Sequence, residues 1–448
     1  MSKEEACSTA LRSLRVRCTS IEITPRKPVI LAGCDYRDRE RTHEAIHDPL
    51  TAQIFLLEGN ETSLIIVTLD LLYAGEKINQ ACHEAARISF PAASVMVFAS
   101  HTHAACATDS SKPKLGRVCD EVVSRICEEL SMAITNLEEM VPRECLLEFR
   151  STTVDLAINR RLNRLLSVDK SGLHVRTAVS GSNEAGPVDR TLSCLTFRAL
   201  EDQRVVAQIV NFPCHPVGFP HRRTISAHYV DAIRDQVVRA CYSLESGSNR
   251  QPVVGFIQGF SGDVRPKSTS TMRPSRTGLK RLLLGPGYSE FTESDYASWL
   301  EHLRNEMSDL LQSEGTQVRS DSVKVGTAVA PRHHLLVGSQ SDSPFEVATM
   351  SIGPFVLVGA SGELVTDYAT WLREELPETL LMLGGCMGDV VGYIPTEAMR
   401  QRGGYEADGF CRAFSARAVP EGIERSVRAT IVASLQAARV LPATFTLT

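Results

Sequence analysis

Hydrophobic positions along this chain follow two periods, one suited to strands and one to helices. Apolar runs at 54–57 and 64–67 flank a Gly59-Asn60 turn and predict a β-hairpin. Val95-Met96-Val97-Phe98-Ala99 predicts a further core strand. Residues 76–89 predict a helix. Residues 119–137 predict another, with Val122, Val123, Ile126, Leu130, Ala133, Ile134 and Leu137 on one face. A second hairpin is expected from 194–197 and 205–212, then a helix at 228–244 and a strand at 253–257. Helix is expected again at 292–313, and strands at 319–330, 345–350 and 354–360. A helix at 364–375, a glycine-rich loop at 384–405 and a last helix at 420–439 complete the pattern. Strands and helices interleave, so the expected fold is one mixed α/β domain over 1–448, with strands in the core and helices outside. Residues 267–290 are basic and rich in Ser, Gly and Pro, and are expected to form a flexible insertion.

Composition narrows the function classes. The chain has 448 residues, 43% hydrophobic and 23% charged, which is ordinary for a globular protein. A formal net charge of −5 points to neither nucleic acid nor a membrane surface. No apolar run is long enough for a transmembrane segment, and the first residues lack an apolar signal core. Thirteen cysteines occur without a C-x-x-C pair, and an odd number cannot all pair within one chain. Reduced thiols and a cytoplasmic location are expected, and cysteine-ligated zinc is not.

Candidate chemistry gathers at the ends of the predicted strands. Ser100-His101-Thr102-His103 follows the strand at 95–99. Residues i and i+2 of a strand point the same way, so continued strand geometry would face both imidazoles to one site. Asn211-Phe212-Pro213-Cys214-His215-Pro216 ends another strand, with prolines limiting the backbone around His215. Ser361-Gly362-Glu363 ends a third, and Gly262-Asp263 closes the turn after a fourth. Each alone has a plain structural reading: His215 as a buried histidine bonded to backbone, Glu363 as an acid at a helix start. Together they supply His, His and Glu, the ligand types of a catalytic zinc with an open position.

These exits belong to a longer series of motifs, and with it the chain resembles the catalytic domain of neutral ceramidases, which are zinc amidohydrolases. The series runs from about 17 to 410. Ile21-Glu22-Ile23-Thr24-Pro25 is close to the family's opening D-I-T-G/P, and Gly33 with His47-Asp48-Pro49-Leu50 matches the next block. Val67-Thr68-Leu69-Asp70, Ser100-His101-Thr102-His103 and the Asn211–His215 block follow in order. Gly262-Asp263-Val264-Arg265-Pro266 matches G-D-V-S-P, and Ser361-Gly362-Glu363 matches P-G-E. Gly392-Tyr393-Ile394-Pro395-Thr396 and Gly403-Gly404-Tyr405-Glu406 close the series.

The resemblance implies a zinc ion held by His101, His215, Glu363 and Tyr393. It leaves His103 free for proton transfer or for polarising a carbonyl. Arg160 matches an active-site arginine, with Arg161 one residue away in register, and Tyr405 matches a second active-site tyrosine. Zinc-activated water would attack the amide, with Arg160 and Tyr405 offering positive charge and hydrogen bonds to the oxyanion. Asp70 and Asp263 are expected to orient or anchor rather than ligate.

The chain also departs from the pattern. The opening block lacks the family's glycines. The H-T-H block continues Ala104-Ala105-Cys106 where Ser-Gly-Pro is usual. A serine assigned importance in some relatives falls on Gly259, with Ser261 off register. S-A-D-Y becomes Ser226-Ala227-His228-Tyr229, where His228 reads as a surface helix residue or an added polar group in the pocket. No C-terminal immunoglobulin-like domain is expected after the last helix. With neither that domain nor an export signal in view, the expected substrate is a soluble small-molecule amide or ester rather than ceramide. Acyl transfer, cyclisation, lactone chemistry and a non-catalytic binding role stay open, as does thiol chemistry by Cys106 or Cys214. Oligomeric state is not legible.

Overall fold

The computed structural model describes residues 13–33, 40–60, 62–169, 172–244, 251–268, 291–339 and 341–446. Most of the insertion expected at 267–290 lies outside these residues.

The period-two pattern resolves into two sheets that face each other. In spatial order the larger runs β12 (Val253–Gln258), β10 (Val205–Phe212), β9 (Thr191–Ala199), β6 (Arg143–Thr153) and β1 (Leu14–Glu22). It continues with β3 (Thr51–Glu58), β4 (Ser63–Leu69) and β5 (Ala93–Ala99), and β14 (Thr316–Val318) pairs with β6. Its outer pairs, β10 with β12 and β4 with β5, are parallel. The second sheet runs β15 (Lys324–Ala330), β16 (Phe345–Ile352), β17 (Phe355–Ala360) and β19 (Leu380–Gly384), the last pair parallel. Three smaller sheets accompany them. These are β13 (Val264–Pro266) with β7 (Ala157–Asp169) and β8 (Gly172–Asn183), β2 (Ala45–Ile46) with β11 (Thr224–Ile225), and β18 (Glu363–Leu364) with β20 (Tyr393–Ile394).

Alternation along the strands assigns each side chain to a layer. Ile54, Leu56, Ile65 and Val67 pack toward α1 (Gly75–Ser89), α2 (Asp120–Asn136), α3 (Tyr229–Leu244) and α4 (Glu293–Gln312). Phe55, Leu57, Leu64 and Ile66 point the other way and meet Phe355 and Leu357 between the sheets. Val356 and Val358 face outward again, toward α5 (Thr366–Glu375) and α7 (Ile423–Ala437), with Met399 of α6 (Glu397–Arg402) at the margin. The result is four layers, helices outside and two sheets within. Strands buried on both faces read as unbroken apolar runs, which is why they were legible. No helix among the described residues is long and apolar enough to cross a membrane.

Most predicted elements are found, but the loop expected at 384–405 carries β20 and α6, and β1 has no predicted counterpart. Two further corrections concern strands. The strand expected at 319–330 is two strands, β14 and β15. The Ser320 hydroxyl accepts from the Ser322 amide at 3.2 Å, a local turn that competes with the ladder. Residues 143–183 carry three long strands that the pattern did not predict. Runs such as Asn159-Arg160-Arg161 show no apolar alternation; β6 pairs with the distant β9, while β7 and β8 pair as a hairpin, Asp169 opposite Gly172. Elsewhere local signals suffice. Thr292 starts α4 with a capping box, accepting from the Asp295 amide while the Asp295 carboxylate accepts from the amide of Thr292.

At one end the two sheets are tied together by backbone. The buried Asn211 amide nitrogen donates to the carbonyls of Ile257 and Leu383, both at 2.8 Å, so one side chain joins β10, β12 and β19. The Gly385 amide donates to the Gln258 carbonyl at 2.9 Å, and the Ala99 amide to Cys386 at 3.1 Å. β5, β10, β12, β17 and β19 therefore release their exit loops into one region.

Gly262 shows how tight that region is. A Cβ there would sit 2.5 Å from the Glu363 carbonyl oxygen and 3.1 Å from that of Leu364. Both are backbone atoms and cannot swing aside. Gly262→Ala is expected to destabilise the protein by about 1–3 kcal/mol, read as a lowered midpoint in urea unfolding. An unchanged midpoint would show that the two segments can part freely.

Candidate metal centre

Beyond Ala99 the chain leaves strand geometry at once. His101 adopts φ +65°, a left-handed conformation that a non-glycine residue seldom takes. Its amide donates to the Leu71 carbonyl at 2.9 Å and its Nδ1 to the Leu72 carbonyl at 3.1 Å. His103 places Nδ1 3.3 Å from the Gly33 carbonyl. The two rings do converge, with centroids 5.0 Å apart, but through this turn and not through continued strand alternation. Gly33 must be glycine: its φ is +66°, and a Cβ would lie 2.6 Å from His103 Nδ1.

His215 enters from the exit of β10, fully buried, with Nδ1 2.7 Å from the Ser261 carbonyl. A carbonyl only accepts, so Nδ1 carries the proton and Nε2 turns its lone pair inward. The ligand nitrogens of His101, His103 and His215 lie within 4.8 Å of one another. Glu363 brings Oε2 to 3.1 Å from His215 Nε2 and 3.3 Å from His101 Nε2. Tyr393 is the parallel-bridge partner of Glu363, and its hydroxyl stands 3.4 Å from His215 Nε2. Every side chain expected to ligate is thus at one place, and His103 stands with them.

Electrostatics follow from burial. Burial alone would raise the Glu363 carboxyl, but His101 and His215 beside it hold it well below the usual range. Burial, then the nearby Arg160 charge, pushes His215 down to about 4. Burial and the neighbouring imidazoles push His103 well down. Burial and the Glu363 charge keep the Tyr393 phenol protonated, Arg160 acting against them.

A cavity of about 230 Å³ opens on this cluster, lined by His101, His103, Tyr73, Tyr393, Tyr405 and Phe414 among others. Arg160, not Arg161, lies beside two of its lining tyrosines. The Arg160 guanidinium lies 5.4 Å from the Tyr393 ring centre and 6.0 Å from that of Tyr405, and it donates to Glu406 at 2.8 Å and to the Gly262 carbonyl at 2.6 Å. Arg161 is held by Glu406 and the Gly403 carbonyl, both at 2.8 Å. Tyr405 is 42% exposed and sits at the rim.

The remaining expectations sort by contact. Asp263 accepts from the Thr366 amide at 2.8 Å and from Asn159 at 2.7 Å, and so anchors the start of α5. Asp70 accepts from Arg234 and from Thr51. Both are anchors. Gly259 has no room for a serine, since a Cβ there would lie 2.7 Å from Pro213 Cα. Ser261 is buried, and its hydroxyl accepts from Gln258 at 2.7 Å. Burial pushes the Cys106 thiol up to about 12 and the Cys214 thiol well up, so neither is a thiolate nucleophile. His228 is no surface residue; it is buried and lines a second cavity.

Two contributors escaped sequence reading. Tyr73 donates its hydroxyl to Glu363 Oε1, and its ring lies 5.2 Å from that of His101. Cys386 places its sulfur 3.5 Å from His101 Nδ1, with φ +53°. Tyr73 follows a strand exit, the same signal that marked His101, but there Asp70 drew the attention.

No protein-family model matches the chain, and no curated protein matches it. Solved structures do share its shape. The neutral ceramidase from Pseudomonas aeruginosa aligns over 97% of this chain and 76% of its own, with a TM-score of 0.71 at 14% identity. A structure described as a ceramidase complexed with C2 aligns over 97% and 77%, with a TM-score of 0.68 at 13% identity. The chain therefore has the mixed α/β fold of the neutral ceramidases.

Proposed function

We propose that this protein is a zinc-dependent hydrolase that cleaves a carboxamide bond, acting on a soluble small molecule rather than on ceramide. The observation that carries this reading is the convergence of three imidazoles with Glu363 in one buried spot. The buried Nε2 atoms of His101 and His103 have no hydrogen-bond partner, which is costly unless something else satisfies them. His101, His215 and Glu363, with Tyr393 at the edge, have the donor set of a catalytic zinc site. When bound, such an ion lowers the pKa of water toward about 7 and polarises a carbonyl.

The protein's own groups do the rest. Glu363 supplies the negative charge that balances a cation, and Tyr73 orients it through Oε1. His103 is neutral near pH 7, because burial and its neighbours hold its pKa down. It takes a proton from the attacking water and returns it to the amine nitrogen as the C–N bond breaks. Arg160 places positive charge beside the Tyr393 and Tyr405 rings, where the oxyanion develops. The cavity, about 230 Å³, is below the ~300–1,000 Å³ usual for drug-sized ligands, which favours a small substrate.

Elemental analysis of purified protein is expected to find about one zinc per chain. His101→Ala and His215→Ala are expected to lose both metal and turnover of an N-acyl substrate. His103→Ala is expected to keep the metal and lose about 10²–10⁴-fold in kcat. Protein that takes up no metal even after zinc is added back would end the hydrolase reading. Metal loss in His103→Ala would make His103 a ligand instead.

The adjacent arginines separate in the same assay. Arg160→Gln is expected to lower kcat by about 10²-fold with metal retained. Arg161→Gln removes one partner of a buried ion pair and is expected chiefly to lower thermal stability. The reverse pattern would exchange their roles.

A further inference from the structure

Three consecutive residues beyond β4 hold two of the candidate ligands. The Leu71 carbonyl accepts from the His101 amide at 2.9 Å, and the Leu72 carbonyl from His101 Nδ1 at 3.1 Å. Tyr73 then crosses to Glu363 and donates its hydroxyl to Oε1. The two carboxylate oxygens of Glu363 therefore have different neighbours. Oε1 meets the phenol, while Oε2 faces His215 Nε2 at 3.1 Å and His101 Nε2 at 3.3 Å. Tyr73 is itself firmly placed. It is buried, and its carbonyl accepts from the Thr108 hydroxyl at 2.7 Å. The buried Lys112 ammonium lies 5.7 Å from its ring centre and 5.8 Å from that of Phe414. Lys112 is fixed in turn by Asp109 and by Asp389, the latter at 3.2 Å. A cation over an aromatic face is attracted to the ring, more so where water is excluded. Backbone and ring are both held, so the phenol has little freedom to leave Oε1.

A carboxylate can hold a metal ion through one oxygen or through both. Taking the second oxygen fills a position that a catalytic zinc keeps for water or substrate. Resting on the zinc reading above, we propose that Tyr73 is a positioning residue that limits Glu363 to one oxygen, Oε2, on the metal and so keeps a position open for the attacking water. The phenol competes with the ion for Oε1 and fixes the plane of the carboxylate, as outer hydrogen bonds to ligating groups do in general. The same contact bears on proton transfer. With Oε2 on the metal and Oε1 accepting from Tyr73, Glu363 has no uncommitted oxygen for the water. The proton goes instead to His103, whose buried Nε2 has no hydrogen-bond partner.

Tyr73→Phe tests this, since it removes the hydroxyl and keeps the ring. Cobalt in place of zinc reports the number of ligands through its visible absorption, which weakens when a tetrahedral site gains a further ligand. The cobalt-loaded, full-length variant is expected to show weaker and shifted bands than the wild type. The zinc-loaded variant is expected to lose about tenfold to a hundredfold in kcat. A zinc-soaked crystal of the wild-type protein gives a second measurement that does not depend on the variant folding. It is expected to show Oε2 alone of Glu363 on the metal. Superimposable cobalt spectra, or both Glu363 oxygens on zinc in the wild type, would overturn the proposal. Hydrolysis followed in parallel keeps the two readings apart. Turnover with both oxygens on zinc leaves the hydrolase standing and removes the role of Tyr73. Zinc held through Oε2 alone in a protein that turns over no amide does the reverse. Protein that binds neither metal removes both.

Discussion

Each imidazole of the centre has its Nδ1 against a backbone carbonyl: Leu72 for His101, Gly33 for His103 and Ser261 for His215. A carbonyl cannot donate, so these contacts choose the tautomer and aim the remaining nitrogens at one another. Much of the surrounding architecture serves to hold those carbonyls. Leu72 follows the exit of β4, Ser261 the exit of β12, and Gly33 belongs to a turn whose left-handed backbone lets His103 approach. Shifting any of the three would turn an imidazole away while leaving the fold intact.

Such loops are strained, and the sheets beneath them bear it. His101, His228 and Cys386 take positive φ without being glycine, at about 1–3 kcal/mol each. Two sheets packed through Phe55, Phe98, Phe355 and Leu357, and sewn at one end by Asn211, provide a base rigid enough to keep them. Glu363 and Tyr393 come from a different part of the chain and meet through a two-residue parallel bridge, β18 with β20. The centre thus draws on both sheets and lies where their exit loops meet, the usual place for binding groups on a rigid scaffold.

The two cavities share His103 as a common wall. On one side it faces imidazoles and phenols, with Lys114 and Arg412 farther along the wall; on the other, Arg222, Arg223 and Arg265 share the wall with Phe219 and Phe291. The backbone fold is shared with the neutral ceramidases. Fold and substrate are different questions.

Local sequence was enough for the strands and helices whose burial imposes a period. The hairpin of β3 and β4, the amphipathic faces of α1 and α2, and the capping box of α4 all follow from residues close in the chain. The candidate centre was also legible, because His101, His215 and Glu363 each stand just beyond an apolar strand, and a polar residue there has few other reasons to be. Much of what the sequence could not determine depended on pairings between distant residues. The β7–β8 hairpin lacks apolar alternation, so its strands carry no periodic signal although they pair locally. That Arg160 and not Arg161 lies over Tyr393 follows the register shift of β7 between Asn159 and Arg161. Tyr73 reaches Glu363 across 290 residues. The burial of His228 comes from Asp48, which ties down the loop that precedes α3. Local periodicity reports which face of an element is dry. Only tertiary packing decides which side chains meet there, because distance in space is set by the sheets and not by separation along the chain.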